Sequence, residues 1–144
     1  QTPWWHLEEG ARVAAEFPET KIIINHAGVP SDRTEEGLRS WRNALAKMAA
    51  YPNVAIKISG IGEAGRLWRK DANRRVVREV IDLFGVDRCM FGSNFPVDSL
   101  CASYQDIFDA FASFVSDFKA SEQVQLFVGN ARRIYRIQEI IMVK

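Results

Sequence analysis

Two places in this chain put chemically capable side chains directly after short apolar runs. Arg88-Cys89-Met90-Phe91-Gly92-Ser93-Asn94-Phe95-Pro96-Val97-Asp98 passes from apolar residues into Gly-Ser-Asn and then into a proline. Pro96 cannot donate to a strand ladder and biases Phe95 toward an extended shape, so the strand must be over by then. Asn94 and Asp98 are thereby presented at a strand's carboxyl end, where parallel α/β proteins bind ligands. A neutral amide can fix a substrate or a water but is a poor base. Asp98 is the candidate base, and its alternative role is a cap on the approach to the last helices. His26 follows Lys21-Ile22-Ile23-Ile24-Asn25 in the same way. An imidazole there can shuttle a proton, partner an oxyanion, ligate a metal or simply cap a turn. A period of two puts Ile22, Ile24 and His26 on one face, and Asn25 is grouped with His26 as substrate-binding.

The run between them, Val54-Ala55-Ile56-Lys57-Ile58-Ser59, adds two more candidates. Lys57 and Ser59 share one parity, opposite Ile56 and Ile58. A lysine in a buried strand is costly unless it is paired, faces a wet cavity or snorkels to an edge. Trp4, Trp5 and His6 form a third candidate site group, with Trp5 and His6 as substrate-binding residues, if a strand precedes Gln1 and ends at them. Trp41 and Trp68 read as packing residues. Arg66, Arg69, Lys70, Arg74, Arg75 and Arg78 could bind an acidic substrate, although such a run is more often a solvated loop and helix face. The chain has no carboxylate pair, no Ser-His-Asp order and no Cys/His metal spacing.

The elements that must position these residues follow from the apolar periodicity. Leu7, Ala11, Ala14 and Phe17 predict a first helix closed by Pro18. Leu38, Trp41, Leu45 and Met48 mark one face of a second. Val76, Val77, Val80, Ile81 and Phe84 mark a third, stopped at Gly85. Tyr104, Ile107, Phe108, Phe111, Val115 and Phe118 mark a fourth. A short helix from about Glu122 and a last one from Asn130, a good N-cap residue, complete the order. The strands begin at Lys21, Val54 and Cys89, 33 and 35 residues apart, a spacing that fits βαβ units with right-handed crossovers and a parallel sheet. Gly60-Ile61-Gly62 lacks the third glycine of a dinucleotide fingerprint. That absence favours a (β/α)₈ barrel over an open doubly wound sheet. No internal boundary is visible, and a single domain over residues 1–144 is expected.

Composition excludes more than it selects. With 47% hydrophobic and 26% charged residues the chain has an ordinary globular profile, and its net charge of +1 gives no electrostatic case for nucleic acid or a membrane surface. No apolar run approaches the roughly 20 residues of a membrane span. Cys89 and Cys101 make no disulfide framework, and reduced thiols in the cytoplasm are the plain reading. The chain starts at Gln1, without Met and without a lead-in element, which suggests that its beginning is missing.

The combination of Pro18 with Lys21–Gly28, Trp41, Pro52-Asn53-Val54, Lys57-Ile58-Ser59-Gly60, the run Phe84–Asp98, and Asn130-Ala131 with Tyr135 resembles the amidohydrolase-related family. This is the branch of the amidohydrolase superfamily that holds sugar-acid lactonases and pyrone-dicarboxylate lactonase-like enzymes. The resemblance covers nearly the whole chain. It implies a metal-dependent-hydrolase type of TIM barrel about twice this length. Lys21–Asn25, Val54–Ser59 and Cys89–Gly92 would be its strands 6 to 8, so the chain would be the carboxyl-terminal half. His26 corresponds to the family's sixth-strand histidine, a potential metal ligand. Asn94 stands where most of the superfamily has a water-activating Asp, which leaves Asp98 as the base. The family's first-strand His-x-His pair is absent from this sequence, so a divalent metal such as zinc is an expectation for the full-length parent.

The implied activity is opening of a lactone or similar cyclic ester, of a sugar acid or a pyrone carboxylate, by water attack on the carbonyl. Decarboxylation of an unsaturated or aromatic acid, as in a sister branch, is the alternative. The competing class of reading is an inactive fragment that needs its amino-terminal half and self-associates through open sheet edges.

Overall fold

A computed structural model of the chain describes residues 2–63 and 65–137. Helix α1 spans Leu7–Glu16 and strand β1 Ile22–Ile24; α2 spans Glu35–Ala49 and β2 Val54–Ile58; α3 spans Lys70–Phe84 and β3 Cys89–Phe91. Helices α4 (Tyr104–Phe114), α5 (Ala120–Val124) and α6 (Asn130–Tyr135) follow, with a π-helical turn, Gln125–Gly129, between the last two. The three strands form one parallel sheet in the order β1-β2-β3, with Ile24 beside Ile56 and Lys57 beside Met90. This is an open sheet, not a closed barrel; it corresponds to an incomplete sector of the expected architecture. Among the described residues β1 and β3 each have a neighbour on one side only. No helix among them is long and apolar enough to cross a membrane.

The sheet buries one face against helices. Ile24, Val54, Ile56, Ile58, Cys89 and Phe91 join the core with Trp41, Leu45 and Met48 of α2, Val76, Val77 and Val80 of α3, and Ile107 and Phe111 of α4. The apolar helix residues recur at three- and four-residue spacing, so each helix lays a stripe on the sheet. Phe91 stacks on Phe111 with centroids 4.5 Å apart. Alternation sends Ile23, Ala55, Lys57 and Met90 to the opposite face. Lys57 thus points away from the helix-packed core, as its parity requires, and is half-buried.

Two buried asparagines tie distant segments together; Asn53 lies in the turn before β2, as Pro52-Asn53 predicts, and adds side-chain bonds to it. The Asn53 Nδ2 donates within 3.0–3.1 Å of the carbonyls of Ala14, Phe17 and Thr20, tying the end of α1 to the start of β2. Asn130 is not an N-cap: Gly129 before it is already helical, and its own side chain is fully buried. Its Nδ2 donates to the carbonyls of Val86 (2.7 Å) and Cys89 (2.8 Å), fastening the last helix to the entry of β3. The basic run is likewise a solvated face. Arg75 pairs with Glu35 and Glu79, Arg78 with Asp117, and Arg66 with Glu63. Replacing Asn130 by Ala takes the side-chain donor from the buried Cys89 carbonyl and leaves the Val86 carbonyl only its bond from the Cys89 N–H. The expected loss is about 2–3 kcal/mol of unfolding free energy, measured by urea denaturation.

Candidate active site

Each strand ends by stepping into left-handed backbone. His26 (φ 54°) and Ala27 (φ 49°) follow β1, Gly60 (φ 57°) follows β2, and Asn94 (φ 57°) follows β3. Such a residue turns the chain sharply off the sheet. It also overrides the period of two after Ile24, so His26 is aimed by its turn and not by strand alternation. The His26 turn is held from below: the fully buried Trp41 of α2 donates its indole N–H to the Ala27 carbonyl at 2.7 Å.

These turns bring three side chains to one spot. The His26 Nδ1 is 3.0 Å from the Oγ of buried Ser59. A Cβ placed on Gly60 would lie 2.6 Å from the His26 Nδ1 and 3.1 Å from the Asn94 Nδ2. Gly60 is therefore a ledge with the imidazole on one side and the amide on the other, and glycine is required both for its φ and for the space. The Asn94 Nδ2 donates to the Asp98 Oδ1 at 2.8 Å. Asp98 is buried, lies in the single turn Val97–Leu100, and caps nothing with its carboxylate; its Oδ2 is buried without a partner. That oxygen faces Gly62, 3.5 Å from where a Cβ would be. A cavity of about 150 Å³ opens here between Gly60, Gly62, Asn94 and Asp98.

The other expected site residues divide. Lys57 belongs to the surroundings of the cluster: its stem packs beside Gly92 and Ser59, and its charge acts on His26. Asn25 does not join. It lines a separate cavity of about 100 Å³ with Leu7, Gly10 and Met48 at the β1 edge, and its Oδ1 is buried without a partner. Trp5 and His6 are not joined to the cluster by any hydrogen bond or ring contact among the described residues. Both are exposed, their rings lie 6.3 Å apart, and Trp5 lines a hollow with Ser40, Asn43 and Lys47 of α2. They sit in a short turn running straight into α1, which directs Trp5 toward that helix pair. In the sequence Gly60 and Gly62 stand out only as an incomplete dinucleotide fingerprint, and Arg33 does not stand out at all. The signal for all three was their place in the two loops that leave the carboxyl ends of β1 and β2.

The electrostatics favour a neutral imidazole. Burial pushes His26 below its ordinary value of 6.5, and the Lys57 ammonium pushes it further, against the raising effect of the Asp98 carboxylate. Cys101, beside Gly62, has its thiol pushed up by burial and by the carboxylates of Asp98 and Glu63. Cys89 is pushed up by burial alone, so neither thiol supplies a thiolate nucleophile at neutral pH. As for a metal, no group of three His, Cys, Asp or Glu side chains is gathered among the described residues. His26 and Asp98 are two donors, one short of the three protein ligands of a catalytic zinc site. These residues do not fit a zinc ion by themselves.

A family model described as amidohydrolase matches residues 1–137. The chain belongs to the amidohydrolase family. It is 43% identical over 137 residues to the uncharacterized protein y4mH of Sinorhizobium fredii, covering 95% of this chain and 46% of that protein. It is 35% identical over 131 residues to an L-fucono-1,5-lactonase of Burkholderia multivorans, covering 82% of this chain and 44% of that enzyme. A crystal structure of an amidohydrolase from Burkholderia multivorans with bound zinc superimposes with a TM-score of 0.87 at 29% identity, over 94% of this chain and 51% of that one. The chain spans about half the length of the curated relatives it matches.

The proton on His26 prefers the unfolded chain. Stability that this group contributes is therefore present above pH 6.5 and is lost as pH falls through the folded-state value. An NMR titration of the His26 ring is expected to show a midpoint below 6.5. Lys57→Met should raise that midpoint and Asp98→Asn should lower it further. Gly60→Ala should cost about 1–2 kcal/mol through the left-handed backbone alone. It should also displace the His26 ring, seen as a changed imidazole chemical shift.

Proposed function

We propose that the protein of which this chain is a part is a hydrolase that opens a lactone by water attack on the ring carbonyl. The observation that carries this reading is an imidazole and an amide on the two sides of Gly60, with the amide holding a buried carboxylate whose second oxygen is without a partner. Resemblance to a lactonase over most of the chain gives the ester its ring. The substrate class is the lactone of a sugar acid or a pyrone carboxylate.

In this scheme the lactone carbonyl lies over Gly60. If the Ser59 hydroxyl donates across the 3.0 Å contact to the His26 Nδ1, the ring proton stands on Nε2, where it would polarise the carbonyl oxygen. Asn94 holds the Asp98 carboxylate through Oδ1, so that Oδ2 faces the attacking water. Asp98 takes one proton from that water as the new C–O bond forms at the carbonyl carbon. The ring C–O bond then breaks, and the proton passes to the departing ring oxygen, giving an open hydroxy acid. A hydrogen bond to a charge developing in a water-poor site is where such donors gain most over solvent. The other half of the barrel would close the mouth and supply any remaining ligands for a divalent ion.

General acid–base groups contribute typically 10²–10⁴-fold. In the complete protein, Asp98→Asn should therefore lower kcat for lactone opening by at least about a hundredfold, with His26→Ala lowering it by a similar order, followed by proton release. Unchanged turnover in Asp98→Asn removes it as the base. Release of carbon dioxide from an unsaturated acid, with no lactone opening, would replace this reading with the decarboxylase one.

A further inference from the structure

Arg33 carries a guanidinium whose donors are largely without partners. It lies in the loop between β1 and α2, where its Nη2 donates to the Ile61 carbonyl at 2.7 Å. Its Nε and Nη1 are buried and have no partner, although a guanidinium offers five N–H donors. Glu63, whose charge acts on Arg33, pairs with Arg66 at 3.2 Å, and Asp32, next to it in the chain, accepts from Thr34. Burial lowers the Arg33 pKa, and Glu63 only partly offsets this, but a guanidinium stays charged. A half-buried cation with two unpaired buried donors and no ion pair of its own is a costly arrangement that an incoming anion would relieve.

The place of this cation gives it a use. Arg33 lines a cavity of about 300 Å³ together with Ser31, Gly60, Gly62, Glu63 and Arg66. Two arginines against one glutamate make its lining net positive. Gly60 is also the ledge between His26 and Asn94, and Gly62 faces the free oxygen of Asp98. The two cavities thus share a floor, one side holding the proposed chemistry and the other a planar cation suited to carboxylates.

We propose that Arg33 is a carboxylate subsite, which takes an acid group carried by the substrate away from its reacting ester and so selects acid-bearing lactones over neutral ones. The proposal rests on the hydrolase reading for its substrate, but the anion site can be tested without it. Two probes with one ring suit the kinetic arm: 2-pyrone-6-carboxylate and its neutral 6-carboxamide, followed by ring opening. The wild-type protein should prefer the acid by at least about tenfold in kcat/KM, the scale of one charged hydrogen-bonded contact. Arg33→Gln keeps a donor for the Ile61 carbonyl and should abolish that preference through KM, with turnover of the carboxamide little changed. An equal loss on both probes, or no preference in the wild type, overturns the proposal.

Calorimetric titration with succinate gives the second arm. Saturable binding should weaken at least about tenfold in Arg33→Gln and measurably in Arg33→Lys, which keeps the charge but not the planar fork. Arg33→Lys decides the matter if Arg33→Gln fails to fold by thermal melting. Succinate binding without any lactone opening would sink the hydrolase reading and leave the subsite standing. No succinate binding in the wild type overturns the subsite. So does competition with succinate by the opened product of a neutral lactone as strong as that by a diacid, since Arg33 would then serve the newly formed carboxylate.

Discussion

The arrangement depends on how the three strands stop. A parallel strand that ran on would carry its side chains alternately to the two faces of the sheet, and no two strand ends would converge. Here each strand is followed by a residue in left-handed backbone, two of them bearing side chains at a conformational cost. His26 and Asn94 accept that cost because their surroundings hold them in place. The indole of Trp41 grips the Ala27 carbonyl, and the Asp98 backbone N–H donates to the Asn94 carbonyl at 3.1 Å while its carboxylate accepts from the Asn94 amide. The third turn carries glycine, so the other two side chains can close over it. Strain at the ends of β1 and β3, and the missing side chain at the end of β2, are parts of one geometry.

Beneath these turns the support is of two kinds. Apolar stripes from α2, α3 and α4 pack one face of the sheet and supply the non-directional stabilisation. Directional bonds from buried amides then set where the elements end. Asn53 joins the end of α1 to β2, and Asn130 joins α6 to β3. A buried amide with both N–H groups occupied holds two loops in a fixed relation, because every alternative leaves donors or carbonyls unpaired. The opposite face of the sheet carries Lys57 and leads up to Ser59, and its polarity faces the mouth that holds the imidazole.

Charge in the site is balanced without being cancelled. Lys57 and burial keep the His26 imidazole toward its neutral form while Asp98 pulls the other way. Asn94 is neutral, and the carboxylate four positions along the chain, Asp98, accepts a hydrogen bond from its amide. Arg33 adds a positive charge on the other side of the same glycine ledge, with Gly62 lining both cavities.

Much of this was legible in the residues themselves. The runs Ile22–Ile24, Val54–Ile58 and Cys89–Phe91 announce strands by β-branched or apolar content between turn residues, and the stripe through Trp41, Leu45 and Met48 announces its helix, because burial periodicity is a local property of the chain. The parity that turned Lys57 away from Ile56 and Ile58 was equally local. Other features were not local. Asn130 reads as a helix cap and is a bolt to β3, and Asn25 and Trp5 read as site residues and line other hollows. Arg33, seven residues past His26, returns to the Gly60–Gly62 loop. Sequence alone determined which segments would be strands or helices and which residue types could do chemistry. Only the tertiary structure decided which of them meet, because a left-handed turn redirects a side chain without leaving any period in the sequence, and a hydrogen bond between residues forty positions apart is invisible until the chain is folded.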